Sequence, residues 1–405
     1  MTTAVVTGTG VIAPNGLGTE AFWAATLSGR DTIEPIDSYD STAFGCRLAG
    51  QVRDFDAAHH LPGRLIPQTD RMTQFALTAA DWAITDSAID TEGMSRLDLG
   101  VVTAAGAGGF DFGQRELQNL WAEGPGHVSA YMSFAWFYAV NTGQISIRHD
   151  LRGPAGVLVA EQAGGIDAIA GARRAIRNGA AMMLTGGMES SLCPYGMAAR
   201  NAGGRLSTRD DPGRAYLPFD PDASGQVPGE GGAILVLEDA ALARGRGAVI
   251  QGEIVGYGTA FDPPPGSGRP DNLGRAIRTA LRDAELTPAG IDVVFADADG
   301  SPERDRAEAA ALTAVFGPRG VPVTAPKTMI GRLCSGGAPL DVVLALLAVR
   351  DGVIPPTTRV TTDHDIDIVR DGPRAFTGDT ALVLARGHNG FNSALIVTGR
   401  RKDSR

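Results

Sequence analysis

Along the chain, short apolar runs that end in glycine alternate with segments whose apolar residues return every three or four positions. The runs "AVVTGTGVIAPNG" from Ala4 and "LGVVTAAGAGG" from Leu99 read as buried strands entering small-residue turns. Phe22 to about Gly29 and Arg71 to about Ser87 carry the helical period instead. The central unit, "VLVAEQAGGIDAIAGARRAIRNG" at 157–179, is a strand, a tight turn and a helix, and "AAMMLTGGMES" follows as another buried strand. The order is therefore strand, helix, strand with a crossover connection. The outline returns after Val249, first as a strand with spaced glycines ("VIQGEIVGYGTAFD"), then as "VPVTAPKTMIGRLCSGGAPLDVVLALLAV". The pattern predicts an α/β protein of two similar halves, 1–248 and 249–405. Residues 206–231, rich in Pro, Gly and Asp, read as a long irregular excursion.

Composition narrows the picture. Apolar residues at 43% against 20% charged describe a globular chain. The formal charge of -10 excludes a nucleic-acid binder and disfavours an anionic membrane surface. Lysine occurs only at Lys327 and Lys402, every other cation being Arg, so Lys327 stands out. Cys46, Cys193 and Cys334 lack the spacing of a zinc site or disulfide framework, and the histidines do not converge as ligands. No metal and no cofactor are expected. The opening residues carry no basic or long apolar leader, so a cytoplasmic location is expected. Gly8, Gly10 and Ala13 satisfy a loose dinucleotide pattern, but Pro14-Asn15-Gly16 turns where that pattern needs a helix, which favours a plain buried strand and turn.

Three separated motifs carry a resemblance over essentially the whole length. At Ala160-Glu161-Gln162-Ala163-Gly164-Gly165 the chain resembles the elbow of the β-ketoacyl synthases, thiolase-fold condensing enzymes, with Gln162 at the position of their cysteine. "ADADGSPERDRAE" at 296–308 is similar to their His-Gly-Thr-Gly-Thr-Pro loop, with Pro302, Asp305 and Glu308 kept and Asp297 at the histidine. "KTMIGR" at 327–332 is similar to their Lys-Ser-x-x-Gly-His motif, with Lys327 and Gly331 kept and Arg332 at the second histidine. The resemblance implies a duplicated, five-layer α-β-α-β-α architecture.

The departures share one chemical meaning. Claisen condensation needs a thiolate to carry the acyl chain, which an amide cannot supply. Decarboxylation of a malonyl extender develops enolate charge that the family's histidines stabilise, and Asp297 has the wrong sign for that. No intact catalytic set is expected, and Asp297 and Arg332 are expected to face each other as a buried ion pair. In the altered C-terminal glycine loop, Arg386 to Asn392, His388 reads as a structural residue.

"VAEQAGG" and "SFAWFYAVNTGQISIRH" resemble the chain length factors of bacterial type II aromatic polyketide synthases. That resemblance implies a heterodimer with an active ketosynthase α subunit, transient dealings with acyl carrier protein through the complex, and a tunnel for the poly-β-keto intermediate. It places tunnel gates at Phe110, Gly113 and Leu117, whose spacing of three and four puts them on one helical face. A small pair at Gly113 and Leu117 implies a product longer than an octaketide, around a decaketide. Phe134, Trp136, Phe137 and Tyr138 are candidates for the subunit interface. The alternative reading is a malonyl-carrier-protein decarboxylase working through Gln162.

Overall fold

The computed structural model describes residues 3–264, 266–269 and 271–399. Lys402 lies outside the described residues. A twelve-stranded sheet organises them. In chain order its main strands are β1 (Ala4–Ala13), β2 (Leu99–Ala104), β3 (Ala155–Leu158), β4 (Met182–Glu189), β5 (Gly231–Asp239), β6 (Gly252–Phe261), β7 (Val293–Phe295), β8 (Pro322–Thr324), β9 (Asp367–Ile368), β10 (Thr380–Arg386) and β11 (Phe391–Gly399). Across the sheet they run β9-β8-β7-β10-β11-β6-β1-β5-β4-β2-β3.

Read outward from the β1/β6 junction, the order is the same in both directions. β1 and β6 each pair antiparallel with the last strand of their own set, β5 and β11. Those pair antiparallel with β4 and β10, beyond which the neighbours are parallel. The junction itself is short, joining Val5 to Glu253 and Val6 to Gly252. The sheet therefore folds into two wings with helices between and outside them, the duplicated five-layer thiolase-like arrangement.

Period-two alternation builds the layers. In β5, Ala233, Leu235 and Leu237 face the inner core while Ile234 and Val236 face an outer one. In β10, Ala381, Val383 and Ala385 face the same inner core, and Leu382 and Leu384 face the other outer one. Between the wings lie two inner helices, Gly164–Arg177 and Gly337–Asp351. Every residue from Gly337 to Val349 is buried, which is why that segment is apolar all round apart from Asp341.

Each outer core is closed by a helix lying unusually close to its strand. At Gly8 and Gly10 a Cβ would collide with the carbonyl oxygens of Ala83 and Ala79 on the helix Arg71–Ser87. Gly256 and Gly258 of β6 stand in the same relation to Ala280 and Ala276 on the helix Leu273–Asp283. The dinucleotide-like glycines are thus packing glycines, and Pro14 begins a turn.

Residues 206–231 are irregular, as their composition predicts, but they run inward. Tyr216, Phe219 and Val227 are fully buried there. The loop's backbone is satisfied from the second half, where the Asp305 carboxylate accepts from the Phe219 N–H at 2.9 Å.

Leu344→Ala in the all-buried inner helix should cost about 2–5 kcal/mol through lost transfer energy and a cavity. Leu97→Ala on the surface should stay within about 0.5 kcal/mol. Chemical denaturation of the two variants checks the contrast.

Candidate functional site

The elbow forms because β3 stops at Leu158 and a single 3-10 turn, Glu161–Ala163, leads into the inner helix at Gly164. Glu161 takes a left-handed backbone, φ 51°, which bends the chain sharply. Gln162 follows at the position where a nucleophile would meet the helix N-terminus. It is 1% exposed, and neither its amide oxygen nor its nitrogen finds a hydrogen-bond partner among the described residues. The amide lies against the start of the second inner helix, where a Cβ on Gly337 would come within 2.5 Å of Nε2.

The histidine positions hold charge instead. Arg332 Nη2 lies 3.0 Å from Asp297 Oδ1, with both side chains buried. Arg332 Nη1 also donates to the Asp297 carbonyl at 2.7 Å, and the Arg386 N–H donates to Asp297 Oδ1 at 2.8 Å. Asp297 and Arg332 therefore do face each other. Burial opposes the Arg332 charge, yet Asp297 and Asp299 hold its guanidinium above its ordinary range. Burial likewise opposes ionisation of Asp299, but Arg332 and Arg304 keep it below the usual carboxylate range.

Lys327 donates to the carbonyls of Ala296 at 2.5 Å and Asp297 at 3.1 Å, and pairs with buried Asp341 at 2.8 Å. Its role here is to fix the 296–299 loop. Glu308 accepts from the Asp297 and Ala298 N–H groups at 2.8 and 2.9 Å, and burial, then Asp297, push its carboxyl up to about 7.

A second elbow sits across from the first. Cys334 has φ 52°, matching Glu161, and leads through a 3-10 turn into Gly337–Asp351. It offers no replacement nucleophile, because burial, then Glu189 and Glu161, push its thiol up. Ser335 next to it donates to Glu189 Oε1 at 2.5 Å, and the same oxygen accepts from the Gly106 N–H. Glu189 thus ties this elbow to the loop that enters the gate helix, Phe110–Glu123.

Asp70 sets the start of that helix. Its carboxylate caps Arg71–Ser87 through the Met72 N–H at 2.8 Å and accepts from the Phe112 N–H at 2.9 Å. Phe110, Gly113 and Leu117 do share a face. The Phe110 ring lies 5.1 Å from that of Tyr195. Gly113 is buried beneath Trp136, whose Cβ would stand 3.5 Å from a Cβ at 113. Leu117, exposed, edges an apolar recess with Trp121, Ala122 and Tyr195.

Of the aromatic segment, Trp136, Phe137 and Tyr138 are exposed, whereas Phe134 is partly buried and packs on the outer core under Arg71–Ser87. His388 is exposed and uses its backbone N–H, which donates to the Glu161 carboxylate. Sequence reasoning passed over Glu161, Glu189, Arg205 and Trp121. The available signal was an acid inside the elbow, at Glu161.

The model of the β-ketoacyl synthase N-terminal domain matches residues 1–243, and that of the C-terminal domain matches 251–361. The chain belongs to the β-ketoacyl synthase family. Within it, the relatives it matches include polyketide β-ketoacyl synthase 2 proteins and a polyketide ketoacyl synthase β subunit. It is 57% identical to the actinorhodin polyketide putative β-ketoacyl synthase 2 of Streptomyces coelicolor, over 97% of this chain and 98% of that one. It is 58% identical to the tetracenomycin polyketide synthase ketoacyl synthase β subunit of Streptomyces glaucescens, over 97% of each. Among solved structures, a β-ketoacyl synthase from Burkholderia phymatum superposes with a TM-score of 0.91 at 27% identity, covering 99% of this chain and all of that one. The ishigamide ketosynthase/chain length factor does so at 0.87 and 28%, covering 98% and 99%. No described helix is long and apolar enough to cross a membrane.

Asp297→Ala should cost about 3–5 kcal/mol by stranding Arg332, and replacing both residues with apolar side chains of similar volume should recover most of that loss. A double-mutant cycle by denaturation measures it. Asp70 adds a pH dependence, because burial pushes its carboxyl up to about 7. An unfolded aspartate titrates near ~4, so between these values the folded chain binds the extra proton and stability falls as pH rises. Asp70→Asn should flatten that part of the curve of denaturation midpoint against pH.

Proposed function

We propose that the chain is a catalytically silent subunit that pairs with an active ketosynthase α subunit and shapes the tunnel in which a poly-β-ketone grows. One observation carries this reading: the gate face is open at the surface of the single chain and continuous with unpartnered apolar side chains. Trp121, one turn beyond Leu117, is 84% exposed, and Trp136, which covers Gly113, is exposed together with Phe137 and Tyr138. Exposed apolar area of this kind favours burial by a partner. The same side offers a strand. β3 ends the sheet, its outer edge is unpaired, and Val159 beyond it is 51% exposed. An unpaired edge invites a strand from a partner.

A wall of the tunnel is then supplied by the partner, and this chain's contribution is the size of three side chains. Overfilling a packed site costs roughly 1–3 kcal/mol, and about 1.4 kcal/mol changes a partition tenfold. Glycine at 113 leaves room under Trp136, and Leu117 is smaller than an aromatic ring. The reading that follows is a product longer than an octaketide, around a decaketide. Acyl carrier protein is acidic, and a chain of net charge -10 favours its docking on the partner subunit. A solved relative is described as a type II acyl-carrier protein in complex with its ketosynthase bound to the hexaketide. We place the complex in the cytoplasm, where its three free thiols stay reduced.

The second reading, decarboxylation at Gln162, draws on the unpartnered amide. Its burial and the charge at Asp297 oppose that chemistry. Malonyl decarboxylation by this chain alone, abolished by Gln162→Ala, would replace the first reading with the second.

Co-expression with a ketosynthase, followed by mass spectrometry of polyketides made from carrier protein and malonyl donor, tests the tunnel. Gly113→Thr with Leu117→Phe should shift the main product to a shorter chain by about tenfold in ratio. Unchanged length in that double variant would remove the gate assignment.

A further inference from the structure

The elbow has lost its nucleophile, yet it is also filled from within. The Glu161 carboxylate accepts the backbone N–H of His388 through one oxygen, and its other oxygen accepts from Arg205 Nη2 at 3.1 Å. Arg205 is itself held near Asp299, at 4.0 Å, and Arg304 pairs with Asp299 at 3.1 Å. The glycine loop rests directly on the elbow, since a Cβ on Gly387 would collide with the Ala160 carbonyl oxygen. Beneath this latch lies Gln162, buried, with both amide atoms unpartnered.

The His388 N–H reaches the elbow one residue from the nucleophile position, and a backbone N–H is the type of donor that stabilises a thioester oxygen as it gains negative charge. Here a carboxylate of the same chain already takes that hydrogen bond, with a guanidinium fixing it in place. A carboxylate oxygen resembles a developing oxyanion in charge and in acceptor geometry. An incoming acyl thioester would have to displace it and break the Arg205 pair.

We propose that Glu161 is an internal oxyanion plug, held by the His388 N–H and Arg205, that keeps acyl thioesters out of this subunit's elbow. Silence is then enforced twice: by the missing thiol and by an occupied acyl position. The inference does not depend on the gate residues, because it concerns only whether an acyl group enters this elbow. It also gives the elbow's unusual acid a function distinct from folding.

The test uses the chain co-purified with its ketosynthase, an N-acetylcysteamine acyl thioester as probe, and peptide-resolved mass spectrometry to separate position 162 from other cysteines. Gln162→Cys alone should stay unacylated. Glu161→Ala with Gln162→Cys should acylate at position 162 at least tenfold faster. Glu161→Gln with Gln162→Cys should stay blocked, because the amide oxygen still occupies the His388 N–H. Arg205→Ala with Gln162→Cys, altered only at the rim, should acylate faster than Gln162→Cys and decides the matter if the Glu161→Ala protein does not fold. Equal acylation of the single and the Glu161→Ala variants, whether fast or absent, overturns the plug. So does a Glu161→Gln variant that reacts as fast as Glu161→Ala, since that would make charge rather than occupancy the barrier.

Discussion

Two helix starts meet between the two wings of the sheet and share closely packed space. The first inner helix begins beside Gln162 and the second at Gly337, whose missing Cβ makes room for the amide. Gly336 likewise sits against the backbone of Gly231, at the start of β5. A helix N-terminus packed this tightly has few ways to satisfy its free N–H groups and few substitutions that fit. The elbow is therefore a structural joint as well as a chemical one. That explains how a condensing-enzyme scaffold keeps its elbow after the chemistry has gone: the joint still positions both inner helices against both wings.

The former catalytic floor has been rebuilt in charge. Asp297, Arg332, Asp299, Lys327 and Asp341 form buried ion-pair contacts, which the half-buried Arg304 joins through Asp299. Pairs of this kind stabilise little over an apolar filling, because desolvation offsets their attraction. Their hydrogen bonds to the carbonyls of Ala296 and Asp297 fix one conformation of the 296–299 loop. The pocket is thus specified as closed.

Glu189 ties the second elbow to the loop entering the helix Phe110–Glu123 through Ser335 and the Gly106 N–H, and Asp70 ties that helix to Arg71–Ser87 through the Phe112 N–H. Leu117 and Trp121 on the helix Phe110–Glu123 are exposed, as are Trp136, Phe137 and Tyr138, so apolar side chains lie uncovered on the single chain. A subunit that shapes a cavity at its own surface can change product length without touching the chemistry, since only steric fit at one helix face is involved.

Sequence alone determined the two-fold outline, the helix Arg71–Ser87, the buried character of the second inner helix, and the three altered motif positions. Those are local facts: period, glycine punctuation and residue chemistry are all written along the chain. The Asp297 and Arg332 pairing was also legible, because both replace residues that converge in the family. What only tertiary structure decided was which partners distant segments would find. The turn at Pro14 already argues against a phosphate loop at Gly8 and Gly10, but that a helix backbone lies on them is decided only by the fold. Residues 206–231 read as an irregular excursion until the Tyr216 hydroxyl and the Phe219 N–H are seen donating to Ala298 and Asp305 of the second half. Phe134 and Trp136 sit two positions apart, yet one packs inward and the other faces solvent. Glu161 carries no sign in the elbow's sequence that His388, more than two hundred residues away, donates to it. Burial and hydrogen-bond pairing depend on what folds back over a residue, and a one-dimensional pattern does not contain that.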